Sequence, residues 1–382
     1  MTPVSVIVVG AGSRGDGYSN FASIHPDRMK VVGVADPRKF ARTKLEKKHN
    51  IIKENVSEDW ESMAEREKFA DAVLICTPDR LHKDPAVAFA KKGYHILLEK
   101  PMATSAEDCT AIVEACTQKG VMLSVGHVLP VFHLCSIFFD FCMSHIDRDK
   151  ILTHVCSARC VKVSSFGSVS HFKKADKPTG AGDRCLDCAI EPHCPYSASK
   201  IYLSRVKQGH TGWPVSVICP DSYPDIESVT EALKNGPYGR CVYECDNDVC
   251  TNQVVNMEFE GGVTAAFSMV AFTEKLCQRQ TTIYGSKGEL SYDGNGVRVF
   301  DFLTQRSTKY HPQNDAPHFG MNGHGGADYH LMDAFISAVA NNDPSFIRSG
   351  PEETLHSHLL VFEAERSHVE SRVIYCGDDS RK

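Results

Sequence analysis

Val4-Ser5-Val6-Ile7-Val8-Val9-Gly10-Ala11-Gly12-Ser13-Arg14-Gly15 joins a short β-branched apolar run to three spaced glycines. An apolar run without polar alternation suits a strand buried on both faces. In the G-x-G-x-x-G that follows, the first glycine permits a tight turn. The second lets backbone approach a diphosphate, and the third lets a helix pack on the strand. The start of that helix leaves N–H groups free for phosphate oxygens. Asp36 ends the next apolar run, Met29 to Ala35, about 20 residues past Gly15, the spacing at which an acid meets a ribose hydroxyl. Strand, glycines, helix and acid together point to a dinucleotide held by Gly10, Gly12, Ser13, Arg14, Gly15 and Asp36. The acid at the ribose position favours NAD. Arg38, Lys39 and Arg42 follow closely; one of them pairing with a 2′-phosphate or stacking on adenine leaves NADP open.

The alternation continues outward. Ala72 to Cys76, Tyr94 to Leu98 and Val121 to Val125 read as further short strands. Helical stretches lie between them at Asp84 to Lys92 and Ser105 to Lys119, the latter with Ser105 and Asp108 placed to cap its start. Such alternation builds a doubly wound parallel sheet of the Rossmann kind. After Gly126 the pattern changes. Gln253 to Phe259, Gly261-Gly262 and Val263 to Met269 read as a hairpin, continued by Thr281 to Tyr284, Glu289 to Tyr292 and Val297 to Phe300. Two helices follow, around Asp328 to Ala340 and Glu352 to Glu370. The expected fold is α/β: an N-terminal Rossmann domain over residues 1–126, then an α+β domain over 127–382 with an open, mostly antiparallel sheet. A chain of 382 residues suits two domains, because single cores stop growing near about 250–300 residues.

Composition narrows the function classes. The chain is 42% hydrophobic and 24% charged, with a net charge of −6. It lacks the basic field that holds nucleic acid or an anionic membrane surface. No apolar stretch reaches the roughly 20 residues of a membrane span; the nearest, Val128 to Met143, is interrupted by Pro130, His133 and Asp140 and reads as a buried helix. Sixteen cysteines without an export signal read as reduced thiols or metal ligands in a cytoplasmic protein.

Glu99-Lys100-Pro101 follows the strand that ends at Leu98. Ligands of open parallel sheets bind outside the carboxyl ends of the strands, so Lys100 stands where it can exchange a proton with a substrate hydroxyl or carbonyl. Burial beside a bound dinucleotide lowers a lysine's pKa toward working pH.

The glycine loop, Asp36, Thr77-Pro78 with His82, Gly93-Tyr94-His95 and Glu99-Lys100-Pro101 together resemble the glucose–fructose oxidoreductase/inositol dehydrogenase/MocA family. Arg184-Cys185-Leu186-Asp187-Cys188, Cys194-Pro195-Tyr196-Ser197-Ala198 and Gly236-Pro237-Tyr238-Gly239-Arg240-Cys241 are similar to a subgroup of it with a cysteine cluster. The resemblance implies a carbohydrate-like substrate, Lys100 as catalytic lysine, and Thr77, Pro78, His82 and Glu99 lining the cofactor site. It also implies a catalytic histidine, for which His145 is the best match, and a homodimer or homotetramer. The segment 127–160 is short for the family, and Pro130 stands where its subgroup has arginine. Within the family a His-Gly-Gly-x-Asp string tends to face the substrate cleft, which nominates His324 and Asp328.

Cys185-x2-Cys188, Cys194 and Cys241 supply four thiols, the number a structural zinc takes; free thiols are the alternative. Trp213 is expected in the core. The expected activity is hydride transfer between NAD(P) and a sugar- or polyol-like alcohol or ketone. The alternatives are an NAD-dependent glycoside hydrolase and a catalytically impaired NAD-binding protein.

Overall fold

The apolar runs near the N-terminus become the centre of a parallel sheet. The computed structural model describes residues 2–127, 159–274, 278–294, 296–311, 321, 323–347 and 350–377. β1 (Val4–Val9), β2 (Met29–Ala35), β3 (Val56–Ser57), β4 (Ala72–Ile75), β5 (His95–Leu98) and β6 (Leu123–Val125) lie in the order β3-β2-β1-β4-β5-β6, all parallel. The order reverses between β1 and β4, which opens a crevice at the carboxyl edge. Helices α1 (Ser13–Ile24), α2 (Lys39–His49), α3 (Lys83–Lys91) and α4 (Ala106–Lys119) connect the strands. Ser105 accepts the Asp108 N–H at 3.1 Å and caps α4 as its sequence suggests.

Period-2 geometry explains why β1 has no polar face. Ile7 and Val9 enter one core with Val73, Ile75, Phe89, Ile96 and Ile112. Val6 and Val8 enter the opposite core with Phe21, Leu74 and Leu97. Ser5 is half-buried, and the other five residues are buried on one side or the other.

Beyond the sheet, β7 (Cys160–Ser168), β8 (Asn252–Phe259) and β9 (Thr264–Val270) pair antiparallel. Between β7 and β8 the chain makes short helical turns around α5 (Ile226–Asn235), which opens with a reciprocal cap between Asp225 and Ser228. β10 (Thr281–Tyr284), β11 (Gly288–Tyr292), β12 (Val297–Asp301) and β13 (Arg306–Tyr310) form a second antiparallel sheet. α6 (Ala327–Asn341) and α7 (Pro351–Glu370) follow, and β14 (Ile374–Tyr375) pairs with β7. α6 returns to the first sheet: Met332, Phe335 and Ile336 complete the core under α1. α7 covers β7 and β8, with Ala364 packed on Val163 and Val255.

Two expectations need correction. The strands from Thr281 onward do not extend the β8–β9 hairpin; they form their own sheet, β10-β11-β12-β13, beside β14-β7-β8-β9. Short turns pair each strand with its sequence neighbour, and Leu290, Val297 and Val299 give the meander a core of its own. Nothing in a period-2 pattern specifies a non-local partner for β10. Trp213 is 62% exposed and does not belong to the core. Among the described residues no helix is long and apolar enough to cross a membrane.

Candidate functional site

The residues singled out in the first hundred positions converge on the carboxyl edge of the parallel sheet. Gly10 follows β1 in the left-handed region at φ 91°, and a Cβ there would stand 2.5 Å from the Cys76 carbonyl oxygen. At Gly15 a Cβ would stand 2.0 Å from the Gly10 carbonyl oxygen. These contacts leave room only for glycine and press the first turn of α1 against the loop. Gly12 is the N-cap and supplies no side-chain cap, while Ser13 is exposed. The first N–H groups of a helix have no intrahelical acceptor. Together with the helix dipole they make an anion cradle, and the two crowded glycines fit a diphosphate lying against backbone.

Asp36, just past β2, accepts the Ala11 N–H at 2.7 Å. Burial opposes its ionisation, but the hydrogen bonds and charge of Arg38 prevail and hold the carboxyl below the usual carboxylate range. Thr77 and Pro78 form the turn after β4, where Thr77 Oγ1 donates to the Leu81 carbonyl at 3.0 Å. His82 is fully buried beneath that turn. Its two ring nitrogens lie 2.8 Å from the Thr77 and Pro101 carbonyl oxygens, so it ties the loop after β4 to the loop after β5.

Glu99, just past β5, is almost fully buried and hydrogen-bonded through both carboxylate oxygens. Its Oε1 accepts from Arg14 Nε at 2.6 Å and from Tyr18 Oη at 2.5 Å, and its Oε2 accepts the Lys100 N–H at 3.0 Å. The Lys100 side chain is exposed at the crevice. Its turn is held from both sides: His82 faces the Pro101 carbonyl, and the Met102 N–H donates to His358 Nε2 at 2.8 Å. That donation leaves His358 Nδ1 as the protonated nitrogen, facing the Thr354 carbonyl at 2.8 Å. His127, two residues past β6, stacks on His358 with ring centres 5.5 Å apart. Burial and the neighbouring His358 hold the His127 imidazole below its ordinary range, so it stands beside Lys100 and Glu99 as a neutral ring.

Sequence reasoning missed His127, His358 and Tyr18. His358 lies 256 positions from its partner Met102, and no local pattern encodes that meeting. His127 carried a weak signal, its place just past a parallel strand end.

Asp328 and His324, nominated for substrate, sit at the start of α6. Both Asp328 oxygens accept from the Arg14 guanidinium at 2.9 Å, and His324 Nδ1 lies 3.2 Å from Asp328 Oδ1. Asp328 therefore joins α6 to the glycine loop, while His324 remains exposed beside it. Burial disfavours the Arg14 charge, but Asp328, Tyr18 and Glu99 outweigh it and the guanidinium stays ionised. Breaking such a half-buried pair leaves one charge without its partner. Arg14→Met is expected to cost about 3 kcal/mol, and Asp328→Asn a similar amount. The double variant should fall short of the sum by about 1–3 kcal/mol. Urea denaturation of all four proteins checks this, and strict additivity would mean the pair carries no coupling. His145 lies outside the described residues.

The zinc expectation is corrected. Cys185, Cys188, Cys194 and Cys241 do border one small cavity, together with Tyr196 and Tyr243. Yet among the described residues no three histidine, cysteine, aspartate or glutamate side chains are arranged to hold a metal ion. Burial pushes the Cys185 thiol up. Cys188 Sγ accepts the Gly182 N–H at 3.3 Å. Every described cysteine is a free thiol.

Comparison with known proteins agrees with this geometry. Residues 4–127 match the family model described as "Oxidoreductase family, NAD-binding Rossmann fold". The chain is 35% identical over 128 residues to a 2,7-anhydro-N-acetylneuraminate hydratase of Escherichia coli, covering 33% of this chain and 32% of the relative. It is 39% identical over 220 residues to a 1,5-anhydro-D-fructose reductase of Ensifer adhaerens, covering 58% of this chain and 56% of that one. The matched part thus spans between a third and just over half of these relatives' length. The solved structure of an aldose-aldose oxidoreductase from Caulobacter crescentus, in complex with glycerol, superposes with a TM-score of 0.62 at 14% identity, covering 98% of this chain and 99% of that one. Glycine loop, acid-ended β2 and lysine-ended β5 all lie within the residues that match this NAD-binding oxidoreductase family model, and the solved structure shares the fold behind them.

Proposed function

We propose that this chain is an NAD(P)-dependent oxidoreductase that passes a hydride to or from a sugar- or polyol-like alcohol or ketone. The observation that carries the reading is Lys100, exposed at the crevice on a turn clamped by Glu99, His82 and His358. The nicotinamide, when bound, supplies hydride transfer. Gly10, Gly12, Ser13, Arg14 and Gly15 would hold the diphosphate, and Asp36 the adenosine ribose. Lys100 Nζ takes the hydroxyl proton as the alcohol is oxidised and returns it when the ketone is reduced. His127, neutral and adjacent, can relay that proton toward solvent. His324, exposed beside Asp328, would contact the substrate.

Two copies are proposed to pair through the open face of β7, β8 and β9. Phe166, Val254 and Val270 are 68%, 41% and 53% exposed there. Light scattering on the purified chain tests this; a monomer at micromolar concentration would refute it.

A panel of sugars and polyols with NAD or NADP, followed at the NADH absorbance, tests the activity. Net reduction of the dinucleotide with a polyol supports the reading, and none with any member refutes net oxidation. The hydratase relatives favour a second reading in which the dinucleotide ends as it began. Adding or removing water leaves the overall oxidation state unchanged. That reading requires product without net NADH.

A further inference from the structure

The loop from Cys219 to Asp225 holds one aromatic ring outside the core. Its first end is anchored by Ile218 and Cys219, which are buried with Val229 and Leu233. At its other end Asp225 caps α5, accepting the Ser228 N–H at 2.7 Å, while Ser228 Oγ donates to the Tyr223 carbonyl at 3.3 Å. Pro220 and Pro224 flank the tip, and each fixes its own φ. Tyr223 is nevertheless 71% exposed.

That ring stands at the start of α2. It meets Phe40 edge-on, with ring centres 5.4 Å apart and planes at 84°. Asp221, on the same loop, is close enough to Arg38 for its charge to act on the guanidinium. Arg38 itself is drawn onto Asp36, with Nη2 and Nε at 2.8 and 3.0 Å from the carboxylate oxygens. Tyr223 therefore lies beside the segment Asp36–Phe40, although its loop comes from between β7 and β8. An edge-on contact occupies at most one face of a ring, so the other face of Tyr223 is open.

The covalent order of a dinucleotide fixes what reaches that face. The adenosine ribose joins the diphosphate on one side and the purine on the other. With the diphosphate on the glycine loop and the ribose at Asp36, the purine projects past Asp36 toward the start of α2. A flat π-system arriving there can stack on an aromatic face. Tyrosine offers such a face at low cost in side-chain entropy.

We propose that Tyr223 is the stacking platform for the adenine of the dinucleotide, supplied to the cofactor site by a loop outside the parallel sheet. This rests on the dinucleotide reading above and adds a binding residue to it, at the end away from the nicotinamide.

Calorimetric titration of the full chain with NAD, ADP-ribose and nicotinamide mononucleotide tests the proposal. The last carries a phosphate but no adenine. Tyr223→Ala should weaken NAD and ADP-ribose by the same factor, about tenfold or more, the worth of one base–aromatic stack. Nicotinamide mononucleotide, read by its displacement of NAD, should bind unchanged. Tyr223→Phe keeps the ring and should restore the wild-type affinities. Tyr223→Leu keeps apolar bulk without a ring and should match Tyr223→Ala; it replaces that variant if circular dichroism shows the alanine protein to be misfolded. Unchanged NAD and ADP-ribose affinities in a folded ring-less variant overturn the proposal alone; a change in sedimentation alongside them would assign the ring to a contact between copies. An equal loss for nicotinamide mononucleotide, or a phenylalanine variant as weak as the alanine one, also overturns it. A wild type that binds neither NAD nor ADP-ribose overturns the dinucleotide reading and this proposal with it.

Discussion

Lys100→Met is expected to lower turnover by about 10²–10⁴-fold, the usual worth of a positioned acid–base group, while NAD affinity changes by less than about threefold. The side chain is exposed and, among the described residues, no hydrogen bond of its ammonium enters the clamp that shapes the turn. That clamp uses the Lys100 N–H, the Pro101 carbonyl and the Met102 N–H. Methionine keeps the backbone groups and the apolar stem but has no proton to exchange. Steady-state rates on whichever polyol proves active, with calorimetry for NAD, separate the two effects. Near-normal turnover would remove Lys100 from the chemistry. Loss of NAD binding would make it a cofactor ligand instead.

The second large effect concerns two glycines in one helix. Gly15→Ala places a Cβ 2.0 Å from the Gly10 carbonyl oxygen. Neither atom is the end of a flexible side chain, so α1 must lift off the loop. A loss of about 3 kcal/mol or more is expected, since forced backbone displacement in a packed interior belongs to the severe class of substitutions. Dinucleotide affinity should fall at least about tenfold, because the cradle N–H groups move with the helix. Gly17→Ala, one half-turn further, meets nothing within 4 Å. It should stabilise the protein by about 0.5–1 kcal/mol through lower entropy of the unfolded chain. Thermal melts of the two variants are a direct comparison. Equal behaviour would mean that contact with Gly10 does not constrain Gly15.

The parallel sheet was readable because its signals are local. A strand buried on both faces needs an uninterrupted apolar run, and Val4–Val9, Ala72–Ile75 and His95–Leu98 carry one. The glycine loop was readable for a similar reason, since steric exclusion of a Cβ acts over a few residues. β3, two residues long at Val56–Ser57, had no such run and passed unnoticed. The cysteine spacing suggested a zinc site, but spacing within a loop says nothing about whether four thiols reach one centre. The segment around Cys185 folds by short helical turns and hydrogen bonds such as Arg184 Nη2 to the Leu233 carbonyl at 2.7 Å, contacts that no composition rule anticipates.

Local order in this chain thus came from neighbouring residues: steric exclusion at Gly10 and Gly15, two-sided burial of the early strands, and the acid and lysine at two strand ends. Long-range electrostatics and packing needed the folded molecule. Arg14 meets Asp328 across 314 positions, α6 completes the core beneath α1, His358 reaches back to hold the turn of Lys100, and Arg38 folds onto Asp36 instead of lying along a solvated helix. Short-range sterics are encoded in adjacent residues and survive in any context. An ion pair or hydrogen bond between distant segments exists only once loop closure has brought them together, and its partner is therefore invisible in a linear reading.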